Sequence, residues 1–303
     1  MSRNKVCAAL IVLLVSSAAA APPVFRFRPP DSITFTLEVK SSHTRSFDTT
    51  NYPTDSSITT LRRTLTRSGN RFQMVSQPIS IVTKSGGQVA DNPINGILEG
   101  TQVLSTLDTL GLITSVSGFE HIGARIDSQY TGQLAERLKR SLSVENLSAR
   151  EQFGWNGILQ NLAGRQVDFE KIDYEQSQYP LPGGLHIPLL IAVRLTDTIR
   201  LSGKLCGVLR ISAGSDPMEL AKRIGKTSDE VIVHYPLSDT AGIGVTQAGS
   251  RYNSETEAVI EIGTMLPQSE STSREIVVAG STKSGASVLK MVEGEARRYD
   301  YRK

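Results

Sequence analysis

Cysteine is nearly missing from this chain. Of 303 residues only Cys7 and Cys206 are cysteines. Cys7 falls in a leader-like start, so the processed chain has no intramolecular disulfide and depends on a packed core for stability. Cys206 sits in the apolar run GKLCGVLRI, where a buried, inert thiol is the expected state. Long apolar runs are missing too. The longest one after the start, Ile187 to Val193, contains Pro188 and is followed by Arg194, far short of the roughly 20 residues of a spanning helix. No transmembrane segment is therefore expected once the leader is removed. Excess charge is also lacking: without Arg3 and Lys5 the 33 basic residues fall to 31, against 30 acidic ones. That balance gives no reason to expect nucleic acid as a partner.

The usual local signatures of chemistry are absent as well. His43, His121, His186 and His234 are scattered, and neither an H-E-x-x-H pattern nor zinc-type Cys/His spacing occurs. The fragment IGKTS ends like a phosphate-binding loop, but Leu220 stands where its first glycine should be, and the stretch closes a helix instead of opening one. KSG and SVLK near the C-terminus match pieces of the penicillin-recognising enzymes, in the wrong order and in a hairpin. There is no G-x-S-x-G elbow and no carboxylate pair of glycosidase type. No catalytic residue, metal ligand or cofactor is assigned. The chain reads as non-enzymatic, with a site assembled from distant residues as the remaining enzymatic alternative.

What is present begins with MSRNKVCAALIVLLVSSAAA: two cations, a short apolar run and small residues. This is the pattern of a secretory signal peptide over 1–20, cut after Ala20. The expected location is periplasmic or extracellular. Cys7 stands at the start of the apolar run, so a lipid anchor is not expected.

Strand patterning then dominates. SITFTLEVK alternates with Ile33, Phe35, Leu37 and Val39 on one face. The Ser/Thr-rich text SSHTRSFDTTNYPTDSS reads as a long loop. SITTLRRTLTR and RFQMVSQ read as a hairpin about Gly69, in which Leu61, Arg63 and Leu65 share a face, as do Phe72 and Met74. Ile79 to Lys84 is a further short strand. Asp108 to Gly111 has type I turn chemistry and joins TQVLSTLD to LITSVSG. Ser117 and Glu120 form a capping-box pattern, so the chain should pass into a helix there, with Phe119, Ile122 and Ile126 on its inner face. His121 is expected to be solvated or to sit in the cap.

Two apolar stripes follow, Leu134, Leu138 and Leu142, then Trp155, Ile158, Leu159 and Leu162 up to Gly164. SQYPLPGG is the best linker candidate. Beyond it lie long strands from Leu189 through CGVLRIS, expected to have both faces partly covered near their starts. A short helix from Asp216 to Gly225 and strands at EVIVHYP, TEAVIEIGTM, REIVVAGS, SVLKMVEG and EARRYDYR complete the chain.

The expected class is α+β, predominantly antiparallel and curved, with a helical insert at about 117–164 packed against the sheet. The β-rich part 21–164 and the second β-rich part 165–303 form either two domains or one continuous domain. Arg62, Arg63, Arg67 and Arg71 gather on the first hairpin, as cations on a sheet edge do, or as a patch for an anionic polymer would. Trp155 reads as core. Asn146, Leu147 and Ser148 form a glycosylation sequon, used only if the source cell glycosylates exported proteins.

The strands from SITFTLEVK to ISIVTK, and the D-x-x-G turn into LITSVSG, resemble exported bacterial β-rich domains of the lipoprotein-carrier kind over about residues 32–165. The resemblance implies a curved antiparallel sheet that cups an apolar cavity covered by helices. It implies a carrier or sensor for a lipid-like or other apolar small molecule, with Phe35, Leu37, Phe72, Met74, Trp155 and Leu159 as ligand-binding residues. The alternative is a structural or assembly protein of the cell envelope that contacts other envelope proteins.

Overall fold

The alternation that starts at Ile33 runs well past its apolar part. In the computed structural model, which describes residues 24–160, 162–164, 172–180, 186–214, 244–245, 251–282 and 285–301, strand β1 spans Ser32–Phe47. The hydroxyl-rich text expected as a loop is therefore largely strand. β2 (Thr50–Asn51) folds back on the end of β1, and β3 (Asp55–Ser68) pairs with it from Ser32 opposite Thr66 to His43 opposite Asp55. Hydroxyl pairs explain why a loop-like composition holds a strand: Ser41 with Ser57 at 2.7 Å and Thr44 with Thr54 at 3.2 Å. Such pairs stabilise a ladder where apolar side chains are lacking.

β4 (Arg71–Ser85) is one strand where two were expected. Leu61 faces Pro78 and Thr60 faces Ser80, so Ile79 is the extra residue of a bulge. A bulge lets a proline, which has no N–H, lie inside a sheet. It also reverses the alternation beyond it, because the side-chain period of a strand is two. After β5 (Gln88–Val89) comes α1 (Pro93–Leu98), a helix the sequence reading did not include. The Asn92 side chain accepts from the Ile94 N–H, and Pro93 occupies the first turn, both ordinary starting signals.

β6 (Val103–Leu107) and β7 (Ile113–Ser117) form the expected hairpin. The Gly111 N–H donates to the Asp108 carbonyl at 3.1 Å, while Asp108 Oδ1 accepts from the Leu110 and Leu112 N–H groups. The expected capping box does not form. Ser117 ends β7 and donates to the Leu104 carbonyl, and the Glu120 carboxylate accepts from the Gly118 N–H. Helix α2 (Ile122–Gln129) begins later, with His121 at the N-cap position and no side-chain cap bond.

α3 (Gly132–Ser141) and α4 (Val144–Leu159) complete the helical insert. On α3 the buried stripe is Ala135, Leu138 and, just past its end, Leu142, while Leu134 is 47% exposed. The α4 stripe of Trp155, Ile158 and Leu159, continued by Leu162, is buried as expected.

The second half supplies β8 (Asp173–Pro180), β9 (His186–Leu201), β10 (Lys204–Gly214), β11 (Gly244–Val245), β12 (Arg251–Glu261), β13 (Pro267–Thr282) and β14 (Gly285–Asp300). The first residues of the expected linker belong to β8, and SVLKMVEG with EARRYDYR is one strand, β14. On β9 Ile191, Val193 and Leu195 are buried while Leu190 is exposed, so this strand covers one face more than the other. IGKTS, the helix expected from Asp216 and the strand EVIVHYP lie outside the described residues.

All main-path strands join one antiparallel sheet in the order β7-β6-β4-β3-β1-β14-β13-β12-β10-β9-β8. The architecture is α+β: one open, curved sheet with a few helices. β3 and β4 lie inside it, so the arginine-rich hairpin is not an edge; β7 and β8 are the ends of this path. The larger core lies on the concave face and draws on both halves of the chain, from Phe35 and Leu65 to Leu209, Ile260 and Tyr299. A second cluster joins α1, α2, α3 and the start of α4 through Ile97, Phe119, Ile122, Leu138 and Leu147.

Candidate functional site

The six side chains expected to line a ligand site are brought together. Phe35, Leu37, Phe72, Met74, Trp155 and Leu159 belong to one buried cluster, none more than 5% exposed. They pack on each other and on the N-terminal segment: Phe35 lies 6.4 Å from Trp155 in a stacked arrangement, and Phe27 meets Phe72 edge-on at 5.2 Å. The Trp155 indole N–H donates to the Gly111 carbonyl at 2.8 Å. This satisfies the one polar atom of the side chain within the core.

Farther along the same strands the sheet and helices part. A pocket of about 480 Å³ lies between the concave face of β1, β3 and β4 and a roof formed by α1, the start of β6, α4 and the segment before α2. Its floor is Ser41, Ser57, Thr59, Leu61, Ser76, Pro78, Ile81 and Thr83; its roof is Ile94, Leu98, Val103, Phe119 and Leu147. The bulge at Ile79 decides part of this lining. By reversing the alternation it turns Ile81 and Thr83 into the pocket and leaves Val82 on the outer face, 38% exposed.

Charged groups border the pocket, and most are already paired. Arg63, from the core face of β3, donates to both Glu151 oxygens at 2.8 and 2.9 Å, and the Ser76 hydroxyl donates to the same carboxylate. Its guanidinium also lies over the Trp155 ring, 5.7 Å from the centroid. Asp55 accepts from Arg45 at 3.0 Å and from Ser85 at 2.7 Å. His43 Nδ1 is 3.3 Å from Glu293, which also faces Arg274 at 3.6 Å. Arg150 on α4 is exposed and has neither a hydrogen bond nor an ion pair among the described residues.

Beside the pocket, polar contacts also hold α4 to β13 and β14. Arg297 donates to the Gly154 carbonyl and pairs with Glu270 at 3.3 Å and Glu295 at 2.7 Å. Burial pushes the Glu270 carboxyl above its ordinary range, against the opposing pull of Arg297. The Arg297 and Arg63 Nε atoms are buried without a hydrogen-bond partner. Phe153 lies over Arg274 at 5.7 Å.

The remaining sequence candidates fall as follows. Among the described residues His43 is the histidine that borders the pocket, and none of their hydroxyls is hydrogen-bonded to it. His121 is exposed; the His186 side chain and His234 lie outside the described residues. Cys206 is fully buried, and that burial pushes its thiol up. Asn146 is exposed, with its amide donating to the Arg140 carbonyl at 2.8 Å. Among the described residues no group of three or more His, Cys, Asp or Glu is placed to hold a metal ion. No helix of the described residues is long and apolar enough to cross a membrane.

The pocket's hydroxyl floor escaped the sequence reading because Ser41, Ser57 and Thr59 lie in text that looks like loop and strand border. The available signal was the unbroken period of two from Ile33 to Phe47. α1 was legible at Asn92 and Pro93.

No family model matches the sequence, and no curated protein matches it. Among solved structures, the chain is similar to lipovitellin, from a structure concerned with lipid–protein interactions, with 8% identity and a TM-score of 0.44 over 91% of this chain and 26% of that one. It is also similar to Pseudomonas aeruginosa OccK7, with 9% identity and a TM-score of 0.19 over 89% of this chain and 99% of that one. The value for Pseudomonas aeruginosa OccK2 is 0.19, with 8% identity over 89% of this chain and 98% of that one. The chain spans about a quarter of the lipovitellin chain, at 26%.

Proposed function

We propose that this chain is an exported, non-catalytic binding protein that holds a lipid-like or other hydrophobic small molecule between the concave sheet face and its helices. The observation that carries this reading is the pocket of about 480 Å³, a volume within the range of sites for one small molecule. Its roof is apolar and its floor mixes hydroxyls with Leu61, Pro78 and Ile81, a combination that buries a tail and orients a polar end. Native mass spectrometry of the purified protein tests it. A retained, lipid-sized mass that organic solvent removes is the expected result; a bare mass that no added lipid or detergent raises would overturn it.

A second reading, assembly with other envelope proteins, is favoured by one observation. On the outer sheet face Val75 lies opposite Leu104, and both are exposed, as are Ile79 and Val82 on the same strand as Val75. Exposed apolar side chains gathered on one face mark contact surfaces. The same spectra decide here: a stable multimer, lost on Val75→Lys substitution, supports assembly, and a monomer at all concentrations counts against self-association.

A further inference from the structure

We infer that the ligand of this pocket is a singly charged anionic amphiphile, a long-chain carboxylate of fatty-acid type, whose head group is held by Arg150. This inference rests on the pocket being a ligand site and adds the ligand's charge and orientation.

It follows from which charges at the pocket are already used. Both lining carboxylates are occupied: Glu151 by Arg63 and Ser76, Asp55 by Arg45 and Ser85. His43 faces Glu293, whose other oxygen faces Arg274. Arg150 is the one charged lining residue without a partner among the described residues. Among the described residues the uncompensated charge at the pocket is thus a single positive one, carried by the side chain best suited to a carboxylate fork.

Position agrees with charge. Arg150 lies three residues after Leu147 on α4, so the two share a helix face. Leu147 is buried in the apolar roof and Arg150 is exposed, so the arginine stem can follow the roof to the pocket mouth and leave its guanidinium in water. An acyl chain against Leu147, Phe119 and Leu98 would bring its carboxylate to that guanidinium. One cation matches one carboxylate. A phosphate monoester would bring surplus negative charge close to Glu151.

The test compares three amphiphiles with the same sixteen-carbon chain: palmitate, hexadecanol and hexadecyltrimethylammonium. Each is titrated below its micelle or solubility limit against a neutral fluorescent probe bound to the purified protein. Palmitate should displace the probe at roughly a tenth of the hexadecanol concentration, the scale of one charge-assisted hydrogen bond. Arg150→Ala should remove that advantage and Arg150→Lys retain part of it. The exposed Arg137→Ala should leave the advantage intact and control for net charge. Unchanged thermal midpoints in these surface variants certify folding. Equal displacement by palmitate and hexadecanol, an unaltered preference in Arg150→Ala, or tighter binding of the cation would each overturn the inference while leaving the pocket a ligand site. Failure of all three amphiphiles and of the probe to bind would overturn both.

Discussion

Arg63 on β3 reaches across the concave face to Glu151 on α4 and donates to both carboxylate oxygens, at 2.8 and 2.9 Å, with the two side chains only 5% and 16% exposed. This pair ties the helical insert to the interior of the sheet, and its Glu151 member lines the pocket. Breaking a buried ion pair from one side strands a charge and costs about 3–5 kcal/mol. Glu151→Ala should therefore lower the unfolding free energy by about 3 kcal/mol in urea titrations. The paired replacement Arg63→Met with Glu151→Leu should recover most of that loss, since matched apolar groups replace such pairs well. Additive losses in the double variant would count against the pair acting as a unit.

Gly111 closes the β6–β7 turn at φ +82°, and a Cβ built there would come within 2.4 Å of the Phe27 ring. Gly111→Ala thus combines a left-handed backbone with a clash against a buried aromatic. A loss of about 2–4 kcal/mol is expected from strain and overpacking together. Calorimetry checks this. If the clash carries the larger share, Phe27→Leu combined with Gly111→Ala should lose less than the two single changes added together.

The six packed aromatics and aliphatics and the pocket lining should separate on mutation. Met74→Ala, at a fully buried position, should cost about 2–5 kcal/mol and leave probe affinity in the remaining folded protein within twofold. Leu61→Trp, on the pocket floor, should reduce probe affinity at least fivefold with a much smaller change in thermal midpoint. Loss of binding in Met74→Ala under conditions where it stays folded would move the ligand site into the core.

Glu270 gives a pH dependence with a definite sign. Burial raises its carboxyl above the ordinary value of 4.5, so the folded state keeps the proton to higher pH than the unfolded chain does. The stability this supplies is complete below about pH 4.5 and is lost as pH rises through the raised folded value. Glu270→Gln carries no such titration. Its thermal midpoint relative to the parent should therefore be higher at pH 7 than at pH 4; a constant offset between the two curves would contradict this.

Much of the frame was legible because periodicity and turn chemistry act locally. Phe35 and Leu37 face the core as their alternation requires, and Asp108 and Gly111 build the expected turn through their own backbone contacts. Reading failed where a partner distant in sequence decided the outcome. Ser41 looks like loop until Ser57 lies opposite it, and Ser117 looks like a helix cap until the Leu104 carbonyl claims its hydroxyl. Leu134 shares a spacing with Leu138 and Leu142, yet Ala135 takes the buried position because α2 and α3 meet on that face. The pocket was foreshadowed only as a cup under helices. Its lining depends on a one-residue bulge at Ile79, which composition does not encode.

The middle of the sheet is a seam between the first and last long strands described. β1 and β14 pair from Thr36 opposite Asp300 to Phe47 opposite Leu289, and Asp48 accepts from the Val288 N–H across 240 residues of chain. A chain emerging from its N-terminus presents β1 with one side unpaired until β14, 240 residues farther on, has appeared. Such distant closure makes assembly slow and leaves an open strand exposed to neighbouring chains. Timing is thus built into the topology: the concave bowl comes into being only when its two halves are joined along this line.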